Sequence, residues 1–289
     1  MSRTEETAVG PLRALTWSPG RPGPGIVLVD GSGPGTCEDW GGWAERIAEL
    51  GVVVLAHDRP GCGGSPGDFL TQTLPERAAE SRAALDVLRR HPDVTGPAGH
   101  LGVSQGGWVG MLAADTADFL VSVSGPGVGP RAQDRHRITV DLRTAGLPAE
   151  AALAWVDERS DRLAAGEDPV AVHADQRRHA AEPWYAVATA DFDSPAMLAY
   201  LARLIGFEPA AVLPGMRCPA LVLFGAADPL VDVPESVAAW VAHAPALAGL
   251  AVFPAAGHGL TVPGPGARPA ERFAPGFLPM LAGFLSSIT

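Results

Sequence analysis

Charged side chains are scarce in this sequence, and basic ones are scarcer than acidic ones. Only 18% of the 289 residues are charged, and the formal net charge is −11. Surfaces that bind nucleic acids or anionic membranes need clustered basic residues. We therefore expect no nucleic-acid partner and no membrane partner. A small-molecule substrate is the expected partner, and a homodimer is left open.

Cysteine and long apolar runs are also scarce. The three cysteines, Cys37, Cys62 and Cys218, are odd in number and widely spaced. They predict neither a disulfide framework nor a paired-cysteine metal site, which suits a reducing compartment. No uninterrupted apolar run approaches about 18 residues, and the N-terminus has no apolar signal-peptide region. These absences predict a soluble, cytoplasmic protein.

The motifs of common metal and cofactor sites are missing as well. The sequence contains no HExxH motif, no Walker loop and no carboxylate cluster with metal-ligand spacing. The glycine-rich stretch GPGVG at 125–129 follows a predicted strand, but it lacks the GxGxxG spacing of a dinucleotide site. We therefore expect no cofactor and no metal.

Apolar residues make up 47% of the chain, and short apolar runs alternate with helical patterns. Such runs predict buried parallel strands. The predicted strands are GIVLVD (25–30), GVVVLAHD (51–58), GHLGV (99–103), FLVSVS (119–124), PALVLFG (219–225) and LAVFP (250–254). The predicted helices are 75–91, 234–244 and one near 276–287. The alternation indicates an α/β fold with a mostly parallel, doubly wound sheet.

The alternation stops between residues 126 and 213. That stretch is rich in Arg, Glu and Ala and contains no convincing strand pattern. We interpret it as a helical cap inserted between two strands. The predicted organisation is a core of residues 1–125 and 214–289 with a cap of residues 126–213.

Two stretches match the pattern Gly-x-Ser-x-Gly, which can mark a serine nucleophile on a turn between a strand and a helix. They are GGSPG at 63–67 and GVSQG at 102–106. Acyl transfer uses the backbone N–H of the residue after the serine. Pro66 has no N–H, whereas Gln105 does. A predicted strand also precedes Ser104 and a predicted helix follows it, so Ser104 is the predicted nucleophile and Gln105 an oxyanion donor.

A serine nucleophile needs a histidine base and a carboxylate that orients it, and in this context the chain order is serine, acid, histidine. Asp228 follows the strand at 219–225, and His258 follows the strand at 250–254. Both lie beyond carboxyl ends of strands, the sheet edge where ligands bind. We favour Asp228 as the acid because it is nearer to its strand, and Asp232 remains the alternative. The other seven histidines have no comparable setting.

The sequence resembles the α/β-hydrolase superfamily, in the branch of serine esterases and serine aminopeptidase-like hydrolases with a helical cap. The resemblance runs from about residue 24 to the C-terminus and implies the α/β-hydrolase fold with a Ser104–Asp228–His258 triad. It is specific for fold and triad but not for substrate. The motifs that carry it are DGSGPGT (30–36), HDRPGCGGS (57–65), GVSQGGW (102–108), GAADPLV (225–231) and AAGHGL (255–260).

The resemblance also implies a second oxyanion donor in the turn after the strand at 25–30. Related sequences usually begin this turn with His-Gly, but here Asp30 takes the place of the histidine. The matching donor is the N–H of Ser32, with Gly33 as the fallback, because Pro34 cannot donate. Asp30 is predicted either to stabilise the turn, which we favour, or to contact substrate. The stretch around Ser65 is structural in the family.

The cap is expected to determine the substrate. We name Asp30, Trp184 and Tyr185 as candidate substrate contacts, although the cap aromatics also suit a small core of their own. The cap aromatics and the methionine among them are Trp155, Trp184, Tyr185, Phe192, Met197, Tyr200 and Phe207.

The predicted function is hydrolysis of a carboxylic ester, thioester or lactone of a small to medium apolar substrate. Three alternatives stay open. They are amide or peptide hydrolysis, acyl transfer or cyclisation in a biosynthetic tailoring step, and a non-catalytic binding protein on the same fold. The last would require a degraded triad, and this chain has candidates for all three members.

Overall fold

A computed structural model describes residues 2–288, and within them one sheet holds eight strands. The spatial order of the strands is β1-β2-β4-β3-β5-β6-β7-β8, and all neighbours from β4 to β8 are parallel. The predicted α/β class with a mostly parallel sheet is confirmed. The strands are β1 (Arg3–Val9), β2 (Leu12–Ser18), β3 (Gly23–Val29), β4 (Val53–His57), β5 (Val94–Val103), β6 (Leu120–Val123), β7 (Ala220–Gly225) and β8 (Leu247–Phe253).

The N-terminal hairpin of β1 and β2 is absent from the sequence-based prediction. Its two strands pair antiparallel, with Val9 opposite Leu12 across a turn where Gly10 has a positive φ of 57°. β2 also pairs antiparallel with β4, so the hairpin extends the parallel sheet at one edge. Five of the seven residues of β2 are buried, and its sequence LRALTWS has no clean period-2 alternation of apolar and polar residues.

Helices cover both faces of the sheet. Val27 and Val29 of β3 point to one face, whereas Ile26 and Leu28 point to the other, because side chains alternate along a strand. The α-helices of residues 2–288 are α1 (Trp43–Ala48), α2 (Leu74–Arg89), α3 (Gln105–Ala113), α4 (Pro130–Thr144), α5 (Glu150–Ala164), α6 (Pro169–Gln176), α7 (Tyr185–Ala188), α8 (Pro195–Leu204), α9 (Pro209–Val212), α10 (Val233–His243) and α11 (Phe277–Ser287).

Helix α2 begins at a capping box. The Thr73 hydroxyl accepts a hydrogen bond from the Glu76 N–H, and the Glu76 carboxylate accepts one from the Thr73 N–H. Such a box satisfies two N–H groups that a helix start leaves unpaired. With α3 and α10, α2 covers one face of the sheet, and α1 with α11 covers the other.

Helices α4 to α9 lie between β6 and β7 in the chain. Two small apolar clusters hold them together, one around Trp155 and Trp184 and the other around Leu198 and Leu201. By length and composition, the stretch Pro195–Gly215 would be apolar enough to cross a membrane. Core helices of soluble proteins pass the same test, and here Leu198 and Leu201 pack in the second cluster while Leu204 and Leu213 pack in the core of the sheet. The boundaries 125/126 and 213/214 of the predicted cap stay a prediction.

Candidate active site

Ser104 occupies a strained turn between β5 and α3. Its φ of 56° and ψ of −123° are unusual for a residue with a side chain. Glycines allow the surrounding backbone to pack closely. A Cβ on Gly102 would lie 2.1 Å from the Gly106 carbonyl oxygen, and one on Gly106 would lie 2.1 Å from the Val29 carbonyl oxygen. The two glycines of the motif are therefore required for the turn that presents Ser104.

The Ser104 hydroxyl is unengaged in this structure. The Ser104 N–H donates to the Val123 carbonyl over 3.0 Å, which fixes the backbone against β6. The hydroxyl oxygen makes no hydrogen bond to any group within residues 2–288, His258 included. Hydrogen bonds between a nucleophile and its base often tighten only when substrate binds.

The structure places Asp228 beside His258. His258 Nδ1 and Asp228 Oδ2 are 2.8 Å apart, and the Asp228 side chain is fully buried. An Nδ1–H that donates to this carboxylate leaves Nε2 with a free lone pair, which is the tautomer of a general base. His258 begins a 3₁₀ turn, His258–Leu260, just beyond β8. Asp228 lies in the turn after β7, where its carboxylate also accepts from the N–H groups of Leu230 and Val231.

These contacts keep Asp228 ionised. Burial by itself would raise the pKa of its carboxyl group. The hydrogen bond from His258, the charge of that ring and the N–H donors of Leu230 and Val231 outweigh burial, and the pKa lies below its ordinary value. A charged carboxylate therefore faces the imidazole at neutral pH.

The competing candidates have other partners. Asp232 accepts a hydrogen bond from the Glu235 N–H at the start of α10, and its other oxygen lies 3.2 Å from His136 Nδ1. Ser65 is buried, donates to Asp58 over 2.9 Å and accepts from the Arg13 N–H. Asp232 thus caps a helix and Ser65 holds a loop, so the structure brings neither into contact with His258.

Two cavities lie at the site. One of about 470 Å³ includes Ser104, and we call it the serine-side cavity. Both predicted oxyanion donors, Gln105 and Ser32, line it together with Ser104. The Gln105 N–H lies in the first turn of α3, where N–H groups have no partner within the helix. The apolar residues that line the serine-side cavity are Trp108, Pro126, Pro130, Phe192, Leu201, Leu204 and Leu230.

A smaller cavity of about 320 Å³ opens on the other side and includes His258, and we call it the histidine-side cavity. Ser32 lines both cavities, so they adjoin at the predicted oxyanion loop. Asp30 and Gly31 also line the histidine-side cavity, and a Cβ on Gly31 would lie 3.8 Å from Ser104 Oγ. The loop of Asp30, Gly31 and Ser32 therefore separates two spaces, one beside the serine and one beside the histidine.

The loop that carries Ser32 is held by a buried arginine that the sequence analysis missed. Arg77 of α2 donates to the Asp30 carbonyl over 2.9 Å, to the Asp30 carboxylate over 2.6 Å and to the Gly31 carbonyl over 3.1 Å. It also donates to the side-chain oxygen of Gln105, which accepts a second hydrogen bond from Tyr200 of α8 over 2.9 Å. Asp30 is thus an ion-pair partner of Arg77, which goes beyond the turn-stabilising role we favoured for it.

Two of the candidate substrate contacts lie away from both cavities. Trp184 and Tyr185 are buried in the apolar cluster of the inserted helices, where Trp184 stacks near His179 and the Tyr185 hydroxyl donates to Asp193. They are not among the residues that line either cavity. The structure therefore does not support them as substrate contacts. Phe192 and Tyr200, named among the cap aromatics, line the serine-side cavity instead.

Part of the wall of the serine-side cavity is charged. Asp134, Asp141 and Asp191 line the cavity, and all three pair with Arg137 at 2.9–3.2 Å. Asp134 also pairs with Arg159, which is fully buried. These carboxylates therefore already have cationic partners. Within residues 2–288, no three His, Cys, Asp or Glu side chains are grouped to hold a metal ion.

Comparison with known proteins gives a family match. The sequence profile of the alpha/beta hydrolase family matches residues 26–275, which is most of the chain and includes Ser104, Asp228 and His258. No curated protein is significantly similar in sequence.

Many solved structures share the fold. The structure of DcsB in complex with a substrate analogue has a TM-score of 0.64 at 17% identity, covering 100% of both chains. The proline iminopeptidase of Mycobacterium smegmatis has a TM-score of 0.56 at 19% identity, covering 99% of this chain and 98% of that one. The Pyrococcus furiosus esterase PF2001 has a TM-score of 0.58 at 16% identity, covering 100% and 89%. At such low identities the similarity extends to the fold alone.

Proposed function

Since the chain belongs to the α/β-hydrolase family, we propose that it is a serine hydrolase that cleaves a carboxylic ester, thioester or lactone. The nucleophile is Ser104, the base is His258 and the orienting acid is Asp228. The observation that carries the proposal is the 2.8 Å contact between His258 Nδ1 and the buried Asp228 carboxylate, together with the strained turn that presents Ser104.

The proposed reaction has two steps. His258 Nε2 accepts the proton of Ser104 as its Oγ bonds to the carbonyl carbon, and the imidazolium then gives that proton to the leaving oxygen as the C–O bond breaks. Water, deprotonated in turn by His258, releases the acid from Ser104. The N–H groups of Gln105 and Ser32 are the proposed donors to the oxyanion, and loss of one such donor costs about 10²–10³-fold in kcat.

The serine-side cavity supports an apolar acyl group. Its wall beside Ser104 consists of Trp108, Leu201, Leu204 and other apolar residues, and it has the volume of a small-molecule site. An aminopeptidase-like reaction would need a free carboxylate to bind the substrate amine. Asp134, Asp141 and Asp191 are each already paired with an arginine, so this observation favours an ester over a peptide held by its N-terminal amine.

The experiment that tests the proposal combines labelling and turnover. A fluorophosphonate should form a covalent adduct detected by intact mass, and peptide mapping should place it on Ser104. p-Nitrophenyl esters of increasing acyl length should be hydrolysed by the wild type and not by Ser104→Ala. An adduct on another residue, or equal inertness of both proteins on every ester, would favour the non-catalytic binding protein.

A further inference from the structure

The histidine-side cavity lies where the departing half of an ester must go. In the proposed reaction, His258 hands its proton to the leaving oxygen, so that oxygen lies within hydrogen-bond reach of the imidazole. His258 lines the histidine-side cavity, and Ser104 lines the other one. The leaving group therefore occupies the histidine-side cavity. This inference rests on the proposed function.

One wall of this cavity carries a cation without a partner. Arg272 lines the cavity, and its side chain makes no hydrogen bond and no ion pair within residues 2–288. Its Nε is buried and unpaired. The terminal nitrogens of the guanidinium are accessible and have no partner within residues 2–288, so a carboxylate in the cavity can accept charge-assisted hydrogen bonds from them.

The backbone fixes Arg272 relative to His258. The Arg272 carbonyl accepts from the Val262 N–H over 2.8 Å, and Thr261 bridges to Phe273 in antiparallel fashion. The Thr261 carbonyl accepts from the Gly257 N–H, also over 2.8 Å, directly before His258. The backbone of Arg272 thus belongs to the same short ladder that carries the predicted base.

The other charged groups of the cavity are acidic, and both are engaged. Asp30 pairs with Arg77 at 2.6 Å, and Asp39 accepts from the N–H and the hydroxyl of Thr36. Asp39 is also exposed, where water weakens its field. Arg272 is therefore the charged group of this cavity that lacks a protein partner. Trp40 and Trp43 supply flat apolar surface in the same cavity.

We propose that the histidine-side cavity binds the leaving group of the substrate and selects one that ends in a carboxylate, held by Arg272. A planar guanidinium binds carboxylates through paired hydrogen bonds. In the balanced reaction, the Ser104 Oγ–acyl bond forms, the acyl–oxygen bond breaks, and the proton of Ser104 ends on the released hydroxy acid. Water then supplies the OH of the acyl product and restores the proton of Ser104.

The test uses two butyrate esters that differ only at the distal end of the leaving group, 4-butyryloxybenzoate and 4-butyryloxybenzamide. The ratio of their kcat/KM values is measured for the wild type and for Arg272→Gln. The ratio, carboxylate over carboxamide, should fall about tenfold in the variant, because a hydrogen bond to a charged group is lost. Intrinsic differences in ester reactivity cancel in this comparison.

Arg268→Gln is the matched control. Arg268 lies in the same segment, is exposed and pairs with Glu271, and it does not line the cavity. Its substitution should leave the ratio at the wild-type value. An equal ratio in wild type and Arg272→Gln, or an equal fall in both variants, would overturn the proposal.

A binding measurement separates this proposal from the catalytic one. Calorimetric titration of wild type and Arg272→Gln with 4-hydroxybenzoate and 4-hydroxybenzamide requires no turnover. The wild type should bind the carboxylate about tenfold more tightly, relative to the carboxamide, than Arg272→Gln does. If neither ester is hydrolysed but this preference is present, the catalytic proposal fails and the carboxylate site stands. If the preference is absent, the carboxylate site fails whatever the activity.

Discussion

At the residue scale, the candidate site depends on side chains whose neighbours assign them different tasks. Asp228 and Asp232 are four residues apart in one turn, yet one is fully buried against His258 and the other caps α10. The sequence names both as possible acids, because spacing from a strand end does not reveal which carboxylate turns inward. The paired contacts with the histidine and with backbone N–H groups make that distinction.

Substitution of these two aspartates by asparagine should therefore have very different effects on kcat. Asp228→Asn should lower kcat on the order of 10³–10⁴-fold, because the imidazole loses its orienting carboxylate. Asp232→Asn should leave kcat within a few fold of the wild type, since Asn also caps helices well. Steady-state hydrolysis of a p-nitrophenyl ester checks both. Comparable losses in the two variants would contradict the assignment of the acid.

The backbone of Ser104 permits a stability test at the same scale. At φ 56° and ψ −123°, a side chain is strained and glycine is not. We expect Ser104→Gly to be more stable than Ser104→Ala by about 1 kcal/mol in the free energy of unfolding, although both lack the nucleophile. Chemical denaturation of the two variants measures the difference. Equal stabilities would show that the turn stores no strain.

At the element scale, α2 and α8 meet at the side chain of Gln105. Arg77 links α2 to Asp30, Gly31 and Gln105, and Tyr200 links α8 to Gln105. Burial lowers the pKa of the Arg77 guanidinium, and the Asp30 carboxylate opposes that effect. The chain thus places Asp30 where related sequences have histidine and supplies a buried cation to pair with it.

This arrangement predicts that Arg77 acts on turnover through the position of the Ser32 N–H. Arg77→Met should lower kcat about ten- to a hundredfold with little change in KM, because the loop that carries a proposed oxyanion donor loses its anchor. Arg77→Lys should recover part of kcat, since it keeps the charge but not the fork of donors.

The matched control for Arg77 is Arg82, which lies on the same helix and pairs with the exposed Asp115. Arg82→Met should keep the wild-type kcat, because surface ion pairs contribute little. Thermal unfolding of each variant shows how much of any loss of kcat comes from lower stability of the fold. If Arg77→Met unfolds at a lower temperature but retains the wild-type kcat in its folded form, Arg77 stabilises the protein without positioning the loop.

At the scale of the whole molecule, the stability of the fold depends on a histidine side chain that is buried in the sheet. His100 of β5 is fully buried, and both ring nitrogens lack a hydrogen-bond partner within residues 2–288. Burial lowers its pKa from 6.5 to about 3, with smaller contributions from Arg89 and Arg82. The folded protein therefore holds a neutral imidazole over a pH range in which the unfolded chain binds a proton.

Global stability should consequently fall as the pH decreases below 6.5. Between pH 6.5 and 3 the unfolded state binds the extra proton at His100, which removes roughly 1.4 kcal/mol from the free energy of unfolding per pH unit. His100→Asn should flatten the pH dependence between pH 6 and 4.5, above the range where Asp228 titrates. Urea unfolding across this range tests it. The exposed His243→Asn should retain the wild-type slope, and an unchanged slope in His100→Asn would contradict a neutral, buried His100.

Features that depend on local chemistry can be predicted from short stretches of this chain. The strand runs, the GVSQG turn with its glycines, and the order of serine, acid and histidine are properties of short segments, because strand periodicity and backbone sterics act over a few residues. The N-terminal hairpin was missed, because LRALTWS has no period-2 pattern that would mark β2 as a strand.

Which distant side chains meet depends on how the whole chain packs. Asp30 and Arg77 are 47 residues apart, and Arg272 joins the wall beside His258 through a backbone bridge. Trp184 and Tyr185 are aromatic residues of the kind that line pockets, but their side chains are buried in the apolar cluster of the inserted helices. Hydrophobic burial is non-directional, so an aromatic sequence segment predicts that its side chains are covered but not by what. That choice is made when the helices pack.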